Sequence, residues 1–332
     1  MIISRTPFRV SLFGGGTDYP QWYEKNFGLT ISVSINKYCY VSVRPLPPYF
    51  FYKYYIRYHK NELTKSISKI EHPSVKGCLK YLKINNGIEI VHNADIPARS
   101  GIGSSSTFTV GLLNALTTMN NSPLTKKELS AKAIFIEQKI IKENVGSQDQ
   151  IAASFGGINK IEFNKKKNFL VNPYLLNSKY EKKLNDNLML IFTGISRTAS
   201  KIAESQLKKM SFNKDKYKKI LSIAKEADEI IRKNKNPDLL GELLDEQWKI
   251  KQQLSRNISN SSIDMICRKA KANGALGCKL LGAGGGGFVL IYARKKNQKK
   301  ILNSLSNFLH VPFSFDYTGS QIVYFSKNKH FY

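Results

Sequence analysis

Apolar residues in the first part of the chain follow a spacing that changes from strand-like to helical. Residues 2–13 and 30–43 are rich in β-branched and aromatic side chains with partial alternation, which predicts two strands joined around the glycines at 14–16. A further predicted strand at 87–94 enters a glycine- and serine-rich stretch, after which apolar residues recur at helical spacing over 108–119. The chain is therefore predicted to pass here from a strand through a loop into a helix.

The rest of the chain continues this mixed pattern. Helices are predicted at 126–142, 148–154, 198–210, 217–232, 239–254, 263–272 and 299–308, and strands at 158–163, 188–193, 277–281, 288–292, 311–315 and 321–325. A polar stretch at 164–186 reads as a connection between two domains, which we place at residues 1–178 and 179–332. Because helices and short strands share both parts, the predicted fold class is mixed α/β (α+β).

The composition is that of a folded protein with a strongly basic balance. Hydrophobic residues make up 42% of the chain, and 52 Lys and Arg against 24 Asp and Glu give a formal net charge of +28. The basic residues are scattered between apolar segments, which favours solvated surfaces over a nucleic-acid site. An aromatic tract at 49–58 would suit stacking on a single strand, but no nucleic-acid module surrounds it, so no nucleic-acid partner is expected.

The cysteines and the apolar segments bear on the compartment. The four cysteines lie far apart, at positions 39, 78, 267 and 278, with no C-x-x-C pair, which argues against a zinc site or a disulfide framework and favours a reducing compartment. Arg5 and Arg9 interrupt the first apolar segment, so no export signal is predicted, and no stretch approaches the roughly 20 apolar residues that span a bilayer. We expect a cytoplasmic protein with no membrane partner.

Residues 100–106, here called the Gly/Ser loop, read Ser-Gly-Ile-Gly-Ser-Ser-Ser just before a predicted helix. Two glycines allow tight curvature, and the unpaired N–H groups and positive dipole end of a helix N-terminus attract phosphate. The alternative is that the serines only cap the helix. No G-x-x-x-x-G-K-[ST] string occurs, and the third glycine of the dinucleotide fingerprint is lacking, so the P-loop and Rossmann classes are disfavoured.

A second glycine-rich segment, residues 282–287, is here called the glycine loop and lies between two predicted strands. It either forms a flexible hairpin turn or allows close approach of a ligand to the backbone. Four consecutive glycines lose conformational entropy on folding without adding packing, so close approach is favoured. We predict that Gly284, Gly285 and Gly286 contact the substrate.

Three segments can be compared together. They read Arg-Thr-Pro-Phe-Arg-Val-Ser-Leu-Phe-Gly-Gly-Gly-Thr-Asp-Tyr at 5–19, Ile-Pro-Ala-Arg-Ser-Gly-Ile-Gly-Ser-Ser-Ser at 96–106 and Lys-Leu-Leu-Gly-Ala-Gly-Gly-Gly-Gly-Phe at 279–288. In this order they resemble the motifs of the GHMP kinase superfamily, named for galactokinase, homoserine kinase, mevalonate kinase and phosphomevalonate kinase. The resemblance covers essentially the whole chain. It implies an N-terminal domain like a domain of ribosomal protein S5, a C-terminal ferredoxin-like domain, and ATP and substrate bound between them.

The resemblance also implies residue roles. The ATP phosphates would lie on the Gly/Ser loop, on Gly101, Ile102, Gly103, Ser104, Ser105 and Ser106. Ser104 or Ser105 would hold Mg²⁺ together with Glu137, since hard oxygen donors suit that ion. Asp149 follows Glu137 by 149 − 137 = 12 residues, a spacing like that between metal ligand and catalytic aspartate in galactokinase-like members, and would be the base.

Arg9 matches an arginine of the first galactokinase motif and would stabilise the ionised aspartate or the charge that develops in the reaction. Each of these residues also has a simpler interpretation. Glu137 could be a solvated helical glutamate beside Lys139, Asp149 a favourably placed first-turn residue, and Arg9 an exposed strand residue.

The acceptor is indicated by the first motif. Thr17, Asp18 and Tyr19 resemble the Thr-Asp-Tyr of sugar-acting members, in which the aspartate accepts hydrogen bonds from ring hydroxyls. Gly15 and Gly16 stand where galactokinase has Glu-His, which makes galactose doubtful and favours a larger or anionic sugar.

Residues 13–20, together with 193–199, are most similar to the branch of the family that acts on D-glycero-D-manno-heptose 7-phosphate. The resemblance implies phosphorylation of its anomeric hydroxyl, for nucleotide-activated heptose and surface glycans. Arg197 and Lys201 are candidates to bind the phosphate of the sugar; the alternative is that they are surface cations. A fucokinase or another sugar kinase is the alternative activity, a basic nucleic-acid-binding protein a distant one, and a homodimer is left open.

Overall fold

The structure is a computed structural model. It describes residues 1–165, 168–195 and 199–326, and for residues 199–201 it describes the backbone only. Within these residues the strands form two sheets, which divide the molecule into an N-terminal and a C-terminal part.

The N-terminal part is built on the larger sheet, in the order β12-β1-β2-β5-β3-β4, with β6 paired to β2 and β7 to β6. Its strands are β1 (Ile2–Phe13), β2 (Gly28–Pro45), β3 (Tyr54–Arg57), β4 (Asn61–Thr64), β5 (Ile88–Ala94), β6 (Ile158–Phe163), β7 (Phe169–Pro173) and β12 (Gln321–Phe325). The pairs are antiparallel except for β3 with β5. The long β1–β2 pair contributes strongly to the hydrophobic core, because residues 6–13 of β1 are buried without interruption.

The described residues of the N-terminal part also form helices. They are α1 (Pro20–Tyr23), α2 (Pro73–Tyr81), α3 (Ser104–Met119), α4 (Lys126–Phe135), α5 (Gln148–Phe155) and α6 (Ser178–Asp186), with a 3-10 turn at Ile67–Lys69 and a π-helical turn at Ile136–Ile141. The central helix α3 is buried on all sides over residues 106–117, as its nearly continuous apolar and small residues require. It packs on β1 and β2, and so its N-terminus is fixed relative to β1.

The C-terminal part contains a sheet in the order β11-β8-β10-β9. Its elements are β8 (Leu188–Phe192), α7 (Ala199–Lys208), α8 (Lys214–Arg232), α9 (Asp238–Gln252), α10 (Ser261–Ala272), β9 (Ala275–Leu280), β10 (Phe288–Ala293), α11 (Lys295–Ser304) and β11 (Leu309–Val311). Along the chain, one helical connection joins β8 to β9 and another joins β10 to β11, which gives the β-α-β-β-α-β order of a ferredoxin-like domain. The predicted mixed α/β fold class is confirmed.

The polar stretch 164–186 is not a plain connection, because it contains β7 and α6. The hydrophobic pattern did not predict β7, because it is a short edge strand whose side chains are half-buried or exposed. The domain boundary after residue 178 stays a prediction; the two sheets divide between β7 and β8, except that β12 returns from the C-terminal end to pair with β1.

The expectation of no disulfide is wrong for one pair. Cys267 on α10 is disulfide-bonded to Cys278 on β9, whereas Cys39 and Cys78 are free and buried. Helix α10 packs on β9, which brings the two Cα atoms within 5.5 Å, a distance that suits a disulfide. Sequence spacing gave no signal, since the two residues lie on different elements.

Among the described residues, none of the helices combines the length and the apolar character that crossing a membrane requires.

Candidate active site

A cleft of about 1060 Å³ lies where the two parts of the molecule meet. Its walls come from the end of β1, the N-terminus of α3, the first turn of α5, helix α9 and the start of the glycine loop. A concave site of this size, formed by elements that are distant in sequence, is suited to two small molecules at once.

The Gly/Ser loop forms one wall, at the N-terminus of α3. Gly101 and Gly103 have φ values of +81° and +78°, in the region that favours glycine, and Gly103 precedes the first helical residue. Ser104, Ser105 and Ser106 line the cleft there. The first N–H groups of a helix have no partner within it, so this wall presents donors and a positive dipole end to an anion.

The glycine loop supports the Gly/Ser loop from behind. A Cβ on Gly282 would lie 2.7 Å from Gly101 Cα, and one on Gly287 would lie 2.2 Å from the carbonyl oxygen of Ser100. The two loops therefore touch backbone to backbone, and larger residues would push them apart.

The glycines predicted to contact substrate lie elsewhere. Gly284, Gly285 and Gly286 are buried, with Gly284 and Gly285 against the backbone of Ile258 and Gly286 against Ile195, whereas Gly282 and Ala283 line the cleft. The structure thus explains these glycines by close packing within the protein.

Arg9 and Asp149 form a bidentate ion pair in the cleft. Arg9 Nε donates to Asp149 Oδ1 over 2.8 Å and Nη2 donates to Oδ2 over 2.7 Å. The third nitrogen, Nη1, donates to the carbonyl oxygen of Gly101 over 3.0 Å, which ties the pair to the Gly/Ser loop. Arg9 is only 4% exposed, and Asp149 is 22% exposed in the first turn of α5. The pair fixes a carboxylate in one orientation toward the cleft.

Asp18 lies in the turn of residues 14–19, here called the N-terminal turn. It is buried, and its Oδ1 accepts from the Gly16 N–H over 2.8 Å. Burial, and then the nearby charge of Asp149, raise the pKa of Asp18. A Cβ on Gly146 would lie 1.8 Å from Asp18 Oδ2, so only glycine at 146 leaves room for this carboxylate. Asp18 and Asp149 thus share one part of the cleft.

The other residues of the N-terminal turn divide between site and scaffold. Gly15 and Gly16 line the cleft, whereas Thr17 is fully buried and its hydroxyl donates to the carbonyl oxygens of Gly14 and Leu29. Thr17 therefore closes the turn and does not face the cleft.

Two polar atoms beside Gly15 have no hydrogen-bond partner among the described residues. These are the hydroxyl of Ser11 and Oε1 of Gln148, and both side chains are buried where they line the cleft. Buried polar atoms are normally paired, so both are suited to ligand hydroxyls. Neither residue was predicted from the sequence. The signal that could have identified them is their position, since Gln148 is next to Asp149 and Ser11 lies inside the first motif.

Glu137 is fully buried behind α3. Its Oε2 accepts from the Ser106 hydroxyl over 2.8 Å and from Gln150 Nε2, while Oε1 has no partner among the described residues. Burial raises its pKa to about 7.

The hydrogen bond between Ser106 and Glu137 was not expected from the sequence, and the role of Ser104 or Ser105 as a metal ligand with Glu137 stays a prediction. Ser104 accepts from the Arg99 N–H and Ser105 is exposed. Successive side chains on a helix point about 100° apart, so one residue decides which hydroxyl faces inward.

Two lysines of the C-terminal part also line the cleft and were not predicted as site residues. Lys279 is 3% exposed, and its Nζ donates to the carbonyl oxygens of Ser11 and Leu12 over 3.0 and 2.8 Å. Lys251, on α9, donates to the carbonyl oxygen of Gly282. Burial, and then the charge of Arg9, lower the pKa of Lys251 to about 8.

The opposite end of the cleft is aromatic. His72 contacts the rings of Tyr58 and Phe108, with centroids 4.9 and 4.6 Å away, and His92 contacts Phe108 at 4.8 Å. Burial lowers the pKa of both histidines to about 4, so both are neutral at pH 7. Arg197 lies outside the described residues, as does the side chain of Lys201.

A helix N-terminus suited to anions, next to a carboxylate that an arginine holds in place, is an arrangement that suits a phosphotransferase with an alcohol group as acceptor, and the comparisons with known proteins show this class. The chain belongs to the GHMP kinase family. The family described as GHMP kinases N terminal domain matches residues 73–157, and GHMP kinases C terminal matches residues 218–311. GHMP kinases use ATP as substrate, and this chain is a sugar kinase of that family.

Individual relatives agree with this assignment. The chain is 30% identical over 315 residues to a D-glycero-alpha-D-manno-heptose 7-phosphate kinase of Campylobacter jejuni, covering 92% of this chain and 93% of that protein. It is 26% identical over 341 residues to a galactokinase of Pyrococcus furiosus, covering 90% and 91%. The crystal structure of a D-glycero-D-manno-heptose 1-phosphate kinase of Bacteroides thetaiotaomicron superposes with a TM-score of 0.80 at 24% identity, over 98% of this chain and 100% of that one, which shows the shared fold.

Proposed function

We propose that this sugar kinase transfers the γ-phosphoryl group of ATP to the anomeric hydroxyl of D-glycero-D-manno-heptose 7-phosphate, giving the 1,7-bisphosphate. The observation that carries the proposal is the Arg9–Asp149 pair, which stands between the Gly/Ser loop and the N-terminal turn that carries Asp18. The residues proposed as the base, the phosphate-binding wall and the sugar-binding carboxylate thus line one cleft.

In the proposed reaction Asp149 accepts the proton of the acceptor hydroxyl. The hydroxyl oxygen forms a bond to the γ-phosphorus as the bond from that phosphorus to the bridging oxygen of ATP breaks, and ADP leaves. Arg9 orients the Asp149 carboxylate, because both its oxygens accept from the guanidinium. Positioning and charge stabilisation supply most of the catalysis in phosphoryl transfer.

We infer that Mg²⁺ accompanies the nucleotide. The oxygens of Glu137 and Ser106 are hard donors, and Oε1 of Glu137 is a buried atom with no hydrogen-bond partner among the described residues, so this pair fits the ion. A bound Mg²⁺ would neutralise charge on the ATP phosphates. The aromatic end of the cleft at Tyr58, His72 and Phe108 is suited to the flat purine base.

The choice of acceptor rests on three observations. Asp18 lies beside the proposed base and its carboxylate is suited to sugar hydroxyls, Gly15 and Gly16 line the cleft next to it, and the relative from Campylobacter jejuni bears the name of a heptose 7-phosphate kinase. A cytoplasmic enzyme of nucleotide-activated heptose synthesis for surface glycans would follow.

The test is ATP consumption by the wild-type protein against a panel of sugars. The panel contains D-glycero-D-manno-heptose 7-phosphate, the unphosphorylated heptose, L-fucose and D-galactose. We expect the highest kcat/KM for the heptose 7-phosphate and, by phosphorus NMR, a product with phosphate on both the anomeric carbon and carbon 7.

Other outcomes would replace the proposal. Preference for L-fucose would favour a fucokinase, as the 27% identity over 227 residues to a bifunctional fucokinase/GDP-fucose pyrophosphorylase of Arabidopsis thaliana would allow. No sugar-stimulated ATP turnover, together with salt-sensitive binding to DNA or RNA, would instead indicate a nucleic-acid-binding protein.

A further inference from the structure

The charged groups on the sugar side of the cleft are unequally paired. Arg9 is matched by Asp149 in a bidentate ion pair, and Asp18 is held by backbone N–H groups. Lys279 is anchored on two backbone carbonyl oxygens. Among the described residues neither lysine has a carboxylate within ion-pair distance, but Lys251 makes one hydrogen bond to the backbone where Lys279 makes two, so Lys251 has more donors left for a ligand.

Two lysines near the end of helix α9 have different surroundings. Lys249 is exposed and pairs with Asp245 over 2.9 Å, and Lys271 of the neighbouring helix pairs with the same carboxylate over 2.7 Å. Lys251 faces the cleft instead, where its ammonium group donates to the carbonyl oxygen of Gly282. Among the described residues, no Asp or Glu oxygen lies within 4.0 Å of its nitrogen.

Lys251 is half-buried, and loss of part of the hydration of an ammonium group is costly unless an anion compensates for it. Lysine carries three donors, and the contact with Gly282 uses one of them, so two remain for a ligand. Its pKa of about 8 leaves Lys251 mostly protonated at pH 7, and burial and Arg9 are the causes that lower it. A bound anion would remove that penalty.

We propose that Lys251 binds the phosphate group that the acceptor sugar itself carries. The inference rests on the proposed function. The nucleotide phosphates already have the donors of the Gly/Ser loop. Helix α9 instead meets the N-terminal turn, because Gln247 accepts from the Gly14 N–H and donates to the carbonyl oxygen of Leu12, and Lys251 lies one helical turn after Gln247 and lines the same cleft. Lys279 lines the same cleft and, among the described residues, has no carboxylate within ion-pair distance.

The experiment compares Lys251→Met with wild type at saturating ATP, using D-glycero-D-manno-heptose 7-phosphate and the same heptose without phosphate. Loss of a charge-assisted hydrogen bond predicts a KM for the 7-phosphate raised by about 10- to 100-fold. The KM for the unphosphorylated heptose and the KM for ATP should stay within about twofold of wild type. Lys251→Arg, which keeps the charge, should recover most of the affinity for the 7-phosphate.

Lys249→Met is the matched control, since it removes an exposed lysine two residues away on the same helix. Equal losses with both heptoses, or a raised KM for ATP, would overturn the proposal and assign Lys251 to the phosphoryl group in transit. Thermal unfolding of each variant shows whether a loss reflects a damaged fold.

A second arm separates this inference from the identity of the sugar. Inorganic phosphate should compete with whichever acceptor the wild-type enzyme uses, and its inhibition constant should rise about tenfold or more in Lys251→Met. Competition that is the same in both proteins would refute the role of Lys251 even if the heptose 7-phosphate is the acceptor. If the wild type prefers a different sugar but this difference in inhibition is present, the proposed acceptor fails while the phosphate site stands.

Discussion

Replacing Asp149 by Asn removes the proposed base while keeping its size. In the native pair both carboxylate oxygens accept from Arg9, over 2.8 and 2.7 Å. The carboxamide of Asn offers one acceptor oxygen, and its NH₂ group would face an Arg9 donor, so one hydrogen bond is lost and the nearly buried guanidinium loses its counter-charge. The variant therefore perturbs both chemistry and local electrostatics.

The two effects have different sizes. Loss of a general base lowers turnover by roughly 10²- to 10⁴-fold, which is about 2.7–5.4 kcal/mol in the activation free energy. Breaking a fully buried ion pair destabilises a protein by about 3–5 kcal/mol. Because Asp149 is 22% exposed and Arg9 keeps its bond to Gly101, we expect a loss of only about 1–3 kcal/mol in the free energy of unfolding.

Single-turnover kinetics of ATP with saturating sugar measures the chemical step, and denaturant unfolding measures the stability. Asp215→Asn is the matched control, because Asp215 also lies in the first turn of a helix beside a lysine but is exposed. The control should behave like wild type within about 0.5 kcal/mol. Near-normal single-turnover rates for Asp149→Asn would refute the assignment of the base.

Two further predictions address the acceptor and the cross-link. In Gly146→Ala the new Cβ would lie 1.8 Å from Asp18 Oδ2, so the carboxylate must move, and we expect an acceptor KM raised about tenfold or more with the KM for ATP nearly unchanged; an unchanged acceptor KM would contradict the role of Asp18. The Cys267–Cys278 disulfide spans 11 residues, and the chain-entropy argument predicts that Cys267→Ser lowers the free energy of unfolding by about 3 kcal/mol. Thiol titration of the unfolded, unreduced protein should find two reactive cysteines; four would show that the cross-link is not formed.

The sequence predicted the regular elements well where one pattern dominated. Strands β1, β6 and β12 have the bounds that alternation and β-branched content indicated, and α3 follows the Gly/Ser loop as expected. The short strands β3 and β4 and the helix α2 were missed, because their few apolar residues give too short a period to detect.

The site was predicted unevenly for similar reasons. Arg9, Asp18 and Asp149 were predicted because each lies in a recognisable sequence motif, and the structure brings all three into one cleft. Lys251 was not predicted, because the sequence pattern does not distinguish it from a solvated lysine of an amphipathic helix; the packing of α9 is needed to place it in the cleft. The choice of Ser106 over its neighbours depends on the rotation of α3, which the packing of the helix on β1 and β2 sets.

The pairing of β12 with β1 has a consequence for how the protein is made. Strand β1 is synthesised first, and residues 321–325, which pair with it from Ile2 to Arg5, emerge from the ribosome long afterwards. Until then the outer edge of β1 carries unsatisfied backbone groups, and such edges readily recruit strands of other chains. The strand that carries Arg9 therefore acquires its last neighbour only after both parts of the molecule have been translated. A nascent chain stalled before residue 321 would leave residues 2–5 of that strand on an open edge.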